Sequence, residues 1–262
     1  MAIYAFDGTT CTPAHLSNVF RMYDAYDSRN KFYATGPGSR GGSFAKIIEG
    51  VTGHGGQERI HDAFEIWKYW QRKGSRETIV IGFSRGAVMA REFANQVCDS
   101  GGSVDFLGLY DSVGAFGNPL DMTDVGYRKS IPKGVKCCVQ AISIHEERFT
   151  FRVIRANPAK GNSITKIKEC WFNGVHSDIG GTLNNELGAT TLVWMLEEAK
   201  KAQPNQWHEA TLVRAKEIAN CSAEPSRNKV TLPKWFLKSL RTRNIRKMDI
   251  EYCNRIVFKT FE

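Results

Sequence analysis

Apolar residues along this chain follow two spacings, one typical of buried strands and one typical of helices. The strand-like runs are short and continuous, and most are rich in β-branched and aromatic residues, as strands covered on both faces require. They predict six strands, over residues 2–6, 32–34, 78–81, 104–110, 149–155 and 167–172.

Helical spacing appears between several of these runs. Residues 57–72 place Ile60, Ala63, Phe64 and Trp67 on one face, and residues 85–97 and 187–202 carry similar apolar stripes. Because β and α elements alternate, the pattern predicts an α/β fold: a mainly parallel sheet flanked by helices on both faces, in three layers. Active sites in such folds lie beyond the carboxyl ends of the strands.

The composition fits one domain. The 262 residues are 42% hydrophobic, enough for a substantial core, so a disordered or fibrous chain is excluded. We predict a single domain over residues 1–262, with a catalytic core in 1–200 and a basic, helical C-terminal extension in 201–262. No run approaches the ~20 apolar residues of a membrane-spanning helix. Residues 1–7 show no export leader, so we expect a cytoplasmic protein as synthesised, with export only by a signal-independent route.

The net charge of +9 suggests an anionic partner. Basic residues are interleaved with Trp235, Phe236 and Leu240 in segment 234–247. Such a helix can lie on an anionic bilayer, so peripheral membrane contact is one hypothesis. The alternative is that its apolar side packs on the core and its charges are solvated. No motif that reads nucleic acid accompanies the charge, so no nucleic-acid partner is expected.

The sequence predicts no metal and no cofactor. The seven cysteines are scattered without zinc-ligand spacing, which favours reduced thiols. The glycine-rich residues 36–56 contain neither a phosphate-binding loop nor a dinucleotide fingerprint. We interpret this segment as a loop near the site, with His54 as a candidate lining residue.

The most informative motif is the Gly-x-Ser-x-Gly sequence at residues 82–86, between a predicted strand and a predicted helix. That context is the one a nucleophile elbow needs, because the tight turn exposes Ser84 at the strand's end. The backbone N–H of Arg85, at the helix N-terminus, would face a developing oxyanion. The pattern alone also occurs in structural turns, but its position here favours a catalytic serine.

A nucleophilic serine requires a base, and the base requires an orienting acid. His176 is the best candidate base, because it follows strand 167–172 in a glycine-flanked loop; helix capping or loop packing is the alternative role. The other five histidines fit surface, buried or loop positions better.

Asp111 is the favoured acid, because it ends strand 104–110. Asp178 and Asp7 compete with it, although hydrogen bonds within their own turns are their expected roles. After Asp7, the backbone of Gly8 or Thr9 would supply a second oxyanion donor.

Four segments resemble, in order, the motifs of the bacterial uncharacterized α/β-hydrolase domain family, which includes the catalytic domains of type VI secretion phospholipase effectors. These segments are residues 6–9, 82–87, 107–114 and 171–181, within roughly the first 200 residues. The resemblance implies an α/β-hydrolase-like fold and hydrolysis of acyl esters, phospholipids among them, by a triad of Ser84, Asp111 and His176. The family usually carries aspartate where this chain has His145, so no role for His145 follows.

Two other functions remain open at this point. A soluble carboxylesterase for small esters would use the same three residues, and the basic extension would then be irrelevant to it. A catalytically silent binding module would keep only the scaffold, and the intact serine, aspartate and histidine set argues against that reading.

Overall fold

A computed structural model describes residues 1–39, 54–114, 126–148 and 151–226, without the side chain of His54. Most of the glycine-rich segment and all of the basic segment 234–247 therefore lie outside the described residues. One sheet of six parallel strands forms the centre, in the order β2-β1-β3-β4-β5-β6. The strands are β1 (Ala2–Phe6), β2 (Lys31–Ala34), β3 (Thr78–Phe83), β4 (Val104–Tyr110), β5 (Val135–Ser143) and β6 (Lys166–Phe172).

Helices cover both faces of this sheet. In the described part of the chain they are α1 (Asn18–Ala25), α2 (His54–Arg72), α3 (Arg85–Asp99), α4 (His176–Ile179), α5 (Asn185–Ala202) and α6 (Glu209–Ile218). One buried cluster joins the sheet to α1, α5 and α6, through residues such as Val19, Leu192 and Leu212. A second joins it to α2 and α3, through Ala63 and Val88. The predicted three-layer α/β architecture is confirmed.

One strand prediction was wrong and one strand was missed. Residues 151–155 form no strand, and Val153 makes only an isolated bridge with Val113. Within the described residues this segment joins no strand of the sheet, and β5 occupies the place between β4 and β6. The missed β5 contains the polar residues Lys136 and Gln140, which conceal an otherwise buried strand.

Two helices were also not predicted from the spacing of apolar residues. Helix α1 is short, and it begins after Ser17, whose hydroxyl caps it by accepting a hydrogen bond from the Phe20 N–H. Helix α4 is a single turn in the segment expected to be a loop, and it begins at His176. Among the described helices, none has the length and apolar character needed to cross a bilayer.

The parallel arrangement brings all strand ends to one edge of the sheet. The register pairs Phe83 of β3 with Tyr110 of β4, so the next residues, Ser84 and Asp111, are neighbours. Beyond β5, the end of β6 leads through a short turn into α4 and His176. The candidate side chains therefore meet although the sequence separates them widely.

Candidate active site

The turn between β3 and α3 holds Ser84 in a strained conformation. Its φ of 59° and ψ of −126° lie outside the regions that a serine normally adopts. The flanking glycines are required by close packing. A Cβ at Gly82 would lie 2.6 Å from the Cα of Ala87, and one at Gly86 would clash with the carbonyl oxygens of Phe6 and Asp7. The local geometry is that of a nucleophile elbow.

Three side chains form a continuous hydrogen-bonded chain at this turn. The Nε2 atom of His176 lies 2.8 Å from the Oγ of Ser84, and its Nδ1 lies 2.7 Å from an Oδ2 of Asp111. The other carboxylate oxygen of Asp111 accepts a hydrogen bond of 2.9 Å from the Ser143 N–H. All three side chains are buried, with Ser84 only 5% exposed. The arrangement can transfer a proton from the hydroxyl to the imidazole.

Aromatic rings enclose the imidazole of His176. The ring centroids of Phe83 and Phe151 each lie 4.8 Å from it, one tilted and one edge-on. This burial lowers the pKa of His176 below its ordinary value, and the hydrogen bond to Asp111 only partly opposes the shift. The imidazole is therefore neutral at neutral pH, which is the form a general base requires.

A buried ion pair supports the backbone of His176. Glu146 accepts a hydrogen bond of 3.2 Å from the His176 N–H, and both of its oxygens accept 2.8 Å bonds from the Arg148 side chain. Burial raises the pKa of Glu146, but the bonds from Arg148 outweigh it and hold that pKa below its ordinary value. The Arg148 guanidinium also stacks 3.5 Å above the Phe151 ring. Sequence reasoning missed this group, because it missed the strand β5 that leads to it.

His145 holds the turn that carries His176. Its N–H donates to the Gly174 carbonyl, and its ring Nδ1 accepts from the Gly174 N–H, both at 3.1 Å. This pairing ties the end of β5 to the segment after β6. The sequence had left the role of His145 open, and its contacts are those of a loop-ordering residue.

Asp178 and Asp7 bond to groups other than the imidazole. An oxygen of Asp178 accepts from the Val175 N–H at 2.9 Å and from the Ser226 N–H at 3.0 Å, which ties α4 to the C-terminal extension. Asp7 accepts two 2.6 Å bonds, from the hydroxyls of Ser17 and Tyr33. Burial raises the pKa of Asp7, and these donors partly oppose the shift. Both carboxylates order loops beside Ser84 and His176.

The Gly8 N–H, which was predicted to bind the oxyanion, is already bonded within the loop after β1. The Gly8 N–H donates to the Asp7 carboxylate at 2.7 Å, so it is not free to bind an oxyanion. A Cβ at Gly8 would lie 2.5 Å from the Phe83 ring, which places this loop against the elbow. Across the described residues, the N–H groups of Thr9 and Arg85 have no acceptor, and the buried Thr9 hydroxyl has no partner.

The last candidate lining residue is His54, which begins α2, but its side chain lies outside the described part of the structure. Three or more metal-ligating side chains do not cluster anywhere within the described residues.

The sheet, the elbow and the placement of the serine, aspartate and histidine define the α/β-hydrolase class of fold. A model of the family described as "T6SS, Phospholipase effector Tle1-like, catalytic domain" matches residues 2–102 and 92–198. The match covers more than half of the chain, and the chain belongs to this family. Membership confirms the resemblance inferred from the motifs.

Two solved structures are similar to this chain at low identity. An uncharacterized protein from Pseudomonas aeruginosa is 19% identical with a TM-score of 0.53, and the match covers 80% of this chain and 48% of that one. The Tle1 effector bound to the VgrG spike of the Type 6 secretion system is 22% identical with a TM-score of 0.47, covering 69% and 50%. The chain thus spans about half the length of either structure. A search of curated proteins finds no match.

Proposed function

We propose that this chain hydrolyses acyl esters of phospholipids, with Ser84 as nucleophile, His176 as general base and Asp111 as orienting acid. The observation that carries the proposal is the hydrogen-bonded chain from Ser84 Oγ through both ring nitrogens of His176 to Asp111. Family membership supports an ester bond as the target, and the family's description supports a phospholipid.

The reaction follows from the positions of the donors and acceptors. Ser84 attacks the ester carbonyl while His176 Nε2 takes the hydroxyl proton, and Asp111 holds the Nδ1–H tautomer that this transfer needs. The negative oxygen of the tetrahedral intermediate accepts hydrogen bonds from the N–H groups of Arg85 and Thr9. The imidazolium then protonates the leaving alcohol, and an acyl-enzyme remains.

The second half of the reaction uses the same groups. Water loses a proton to His176 as it attacks the acyl carbonyl, and the collapse of the second intermediate returns that proton to Ser84. The products are a fatty acid and a lysophospholipid, and the enzyme is restored.

Hydrolysis of phospholipid vesicles and of short-chain nitrophenyl esters tests the proposal. Ser84→Ala should lower both rates by on the order of a thousandfold or more. Ser100→Ala is the matched control, because Ser100 is an exposed serine at the end of α3, and it should keep full activity. A serine-directed fluorophosphonate should label the native chain and the control but not Ser84→Ala.

The outcomes separate the candidate functions. Turnover of nitrophenyl esters without phospholipid hydrolysis would favour the small-ester carboxylesterase. Normal turnover by Ser84→Ala would reject the triad. Failure of the native chain on every ester would favour the silent module.

Membrane contact through segment 234–247 is a separate proposal. Its support is the sequence pattern of basic and aromatic residues, since the segment lies outside the described residues. Sedimentation with vesicles should show binding that rises with anionic lipid content and falls with salt. Equal binding to neutral and anionic vesicles would reject it.

A further inference from the structure

The residue after Ser84 carries a partly buried cation for which no counter-charge lies within the described residues. The Nη1 atom of Arg85 is inaccessible to solvent and has no hydrogen-bond partner within the described residues. Burial lowers the pKa of its guanidinium to about 10, and no carboxylate among the described residues opposes the shift. The side chain is still a cation at neutral pH, and a buried N–H group without an acceptor is costly.

Three other arginines have internal hydrogen-bond or ion-pair partners for their guanidinium groups. The terminal nitrogens of the fully buried Arg91 donate to five acceptors, three of them backbone carbonyls. Arg128 bonds to the carboxylates of Glu92 and Asp99. Arg148 is paired with Glu146. Carboxylates neutralise Arg128 and Arg148, and both terminal nitrogens of Arg91 are bonded, although its Nε has no partner. Arg85 has neither kind of partner within the described residues, which leaves its guanidinium available to a ligand from outside the chain.

The position of Arg85 narrows the chemistry of that ligand. In the proposed reaction its backbone N–H donates to the carbonyl oxygen of the ester, so its side chain begins close to the scissile bond. In a glycerophospholipid, only glycerol carbons and oxygens separate the acyl ester from the phosphodiester. A guanidinium matches the oxygens of a phosphodiester with two parallel hydrogen bonds. Arg148, whose partner Glu146 contacts the His176 backbone, is already neutralised by that carboxylate.

We propose that the Arg85 side chain binds the phosphodiester of the substrate and thereby selects phospholipids over neutral acyl esters. The inference rests on the proposed ester hydrolysis at Ser84. It makes Arg85 a specificity-determining residue through its side chain, in addition to the role of its backbone N–H.

A ratio of activities tests this selectivity. Phosphatidylcholine and diacylglycerol with the same acyl chains are compared in the same mixed micelles. Arg85→Gln should lower kcat/KM for the phospholipid relative to diacylglycerol by about 10- to 100-fold, the value of one or two charge-assisted hydrogen bonds. Arg85→Lys should retain part of the preference. Arg76→Gln changes an exposed arginine and is the matched control, with an unchanged ratio. An equal loss on both substrates would mean that Arg85 only supports the elbow and would overturn the inference.

Binding separates this inference from the proposed function. Calorimetry with a monomeric short-chain phosphatidylcholine uses Ser84→Ala, with and without Arg85→Gln, and does not depend on turnover. The second change should weaken binding by about tenfold or more. Equal binding by the two variants, or none by Ser84→Ala, would overturn the role of Arg85 even if esters are hydrolysed. Inorganic phosphate should bind much more weakly; equal affinity for it would show a general anion site instead.

Discussion

Two buried aspartates lie near His176, and they differ in what they bond. Asp111, at the end of β4, contacts the imidazole, whereas Asp178, only two residues from His176, contacts backbone N–H groups. His176 and Asp178 share the single turn α4, and residues two apart on a helix point to different sides. Asp111 is 65 residues away from His176 in the sequence. The register between β3 and β4 nevertheless places it beside Ser84, at the edge of the sheet where His176 also lies. Sheet register, not closeness in sequence, selects the partner of the imidazole.

The largest expected effect is on kcat, when each of the two aspartates is replaced in turn. Asp111→Asn should lower kcat by on the order of 10⁴-fold, because an amide no longer stabilises the imidazolium or the required tautomer. Asp178→Asn, the matched variant, should stay within about tenfold of the native kcat, since its carboxylate does not touch the imidazole. Steady-state kinetics on a soluble ester measures both. Equal losses for the two variants would contradict the difference in role, and a larger loss for Asp178→Asn would reverse the two roles.

A stability measurement gives the next largest contrast. Asp178→Ala leaves the N–H groups of Val175 and Ser226 without their acceptor, so it should lower the free energy of unfolding by about 1 to 3 kcal/mol. The molecules that remain folded should keep most of their activity. Urea unfolding followed by fluorescence, with Glu224→Ala as an exposed control in the same segment, measures the difference. An unchanged midpoint would show that this carboxylate does not fasten α4.

Much of this site was visible in the sequence because its signals are local. The glycines around Ser84 and the polar residues that end apolar runs predicted the elbow, Asp111 and His176, and the alternation of elements predicted the layers. The missed features depend on contacts between distant segments. Gln140 appears unsuited to a buried strand until its bonds to Arg91, Ser112 and Glu169 are known.

The ion pair of Glu146 and Arg148, which supports the backbone of His176, was not predicted for the same reason. Without β5, nothing in the sequence placed Glu146 and Arg148 at the carboxyl edge of the sheet. The partner of the Gly8 N–H was equally unpredictable, because it depends on the rotamer of Asp7, which the hydroxyls of Ser17 and Tyr33 help to hold.

The smallest expected effect is a displacement of the pH profile. The protonated imidazole of His176 cannot accept the Ser84 proton, so kcat/KM should fall as the pH drops through the pKa of this histidine. Burial lowers that pKa, so the acid limb should lie below the ordinary histidine value of about 6.5, and activity should persist to lower pH than an exposed base would allow.

Asp178→Asn should leave the limb in place, because the groups that shift this pKa besides burial are Asp111, Arg148 and Glu146. The measurement is kcat/KM on a soluble nitrophenyl ester from about pH 4 to 8. A limb at or above about 6.5 in the native chain would contradict the buried, neutral imidazole, and a displaced limb in Asp178→Asn would contradict the separation of the two aspartates.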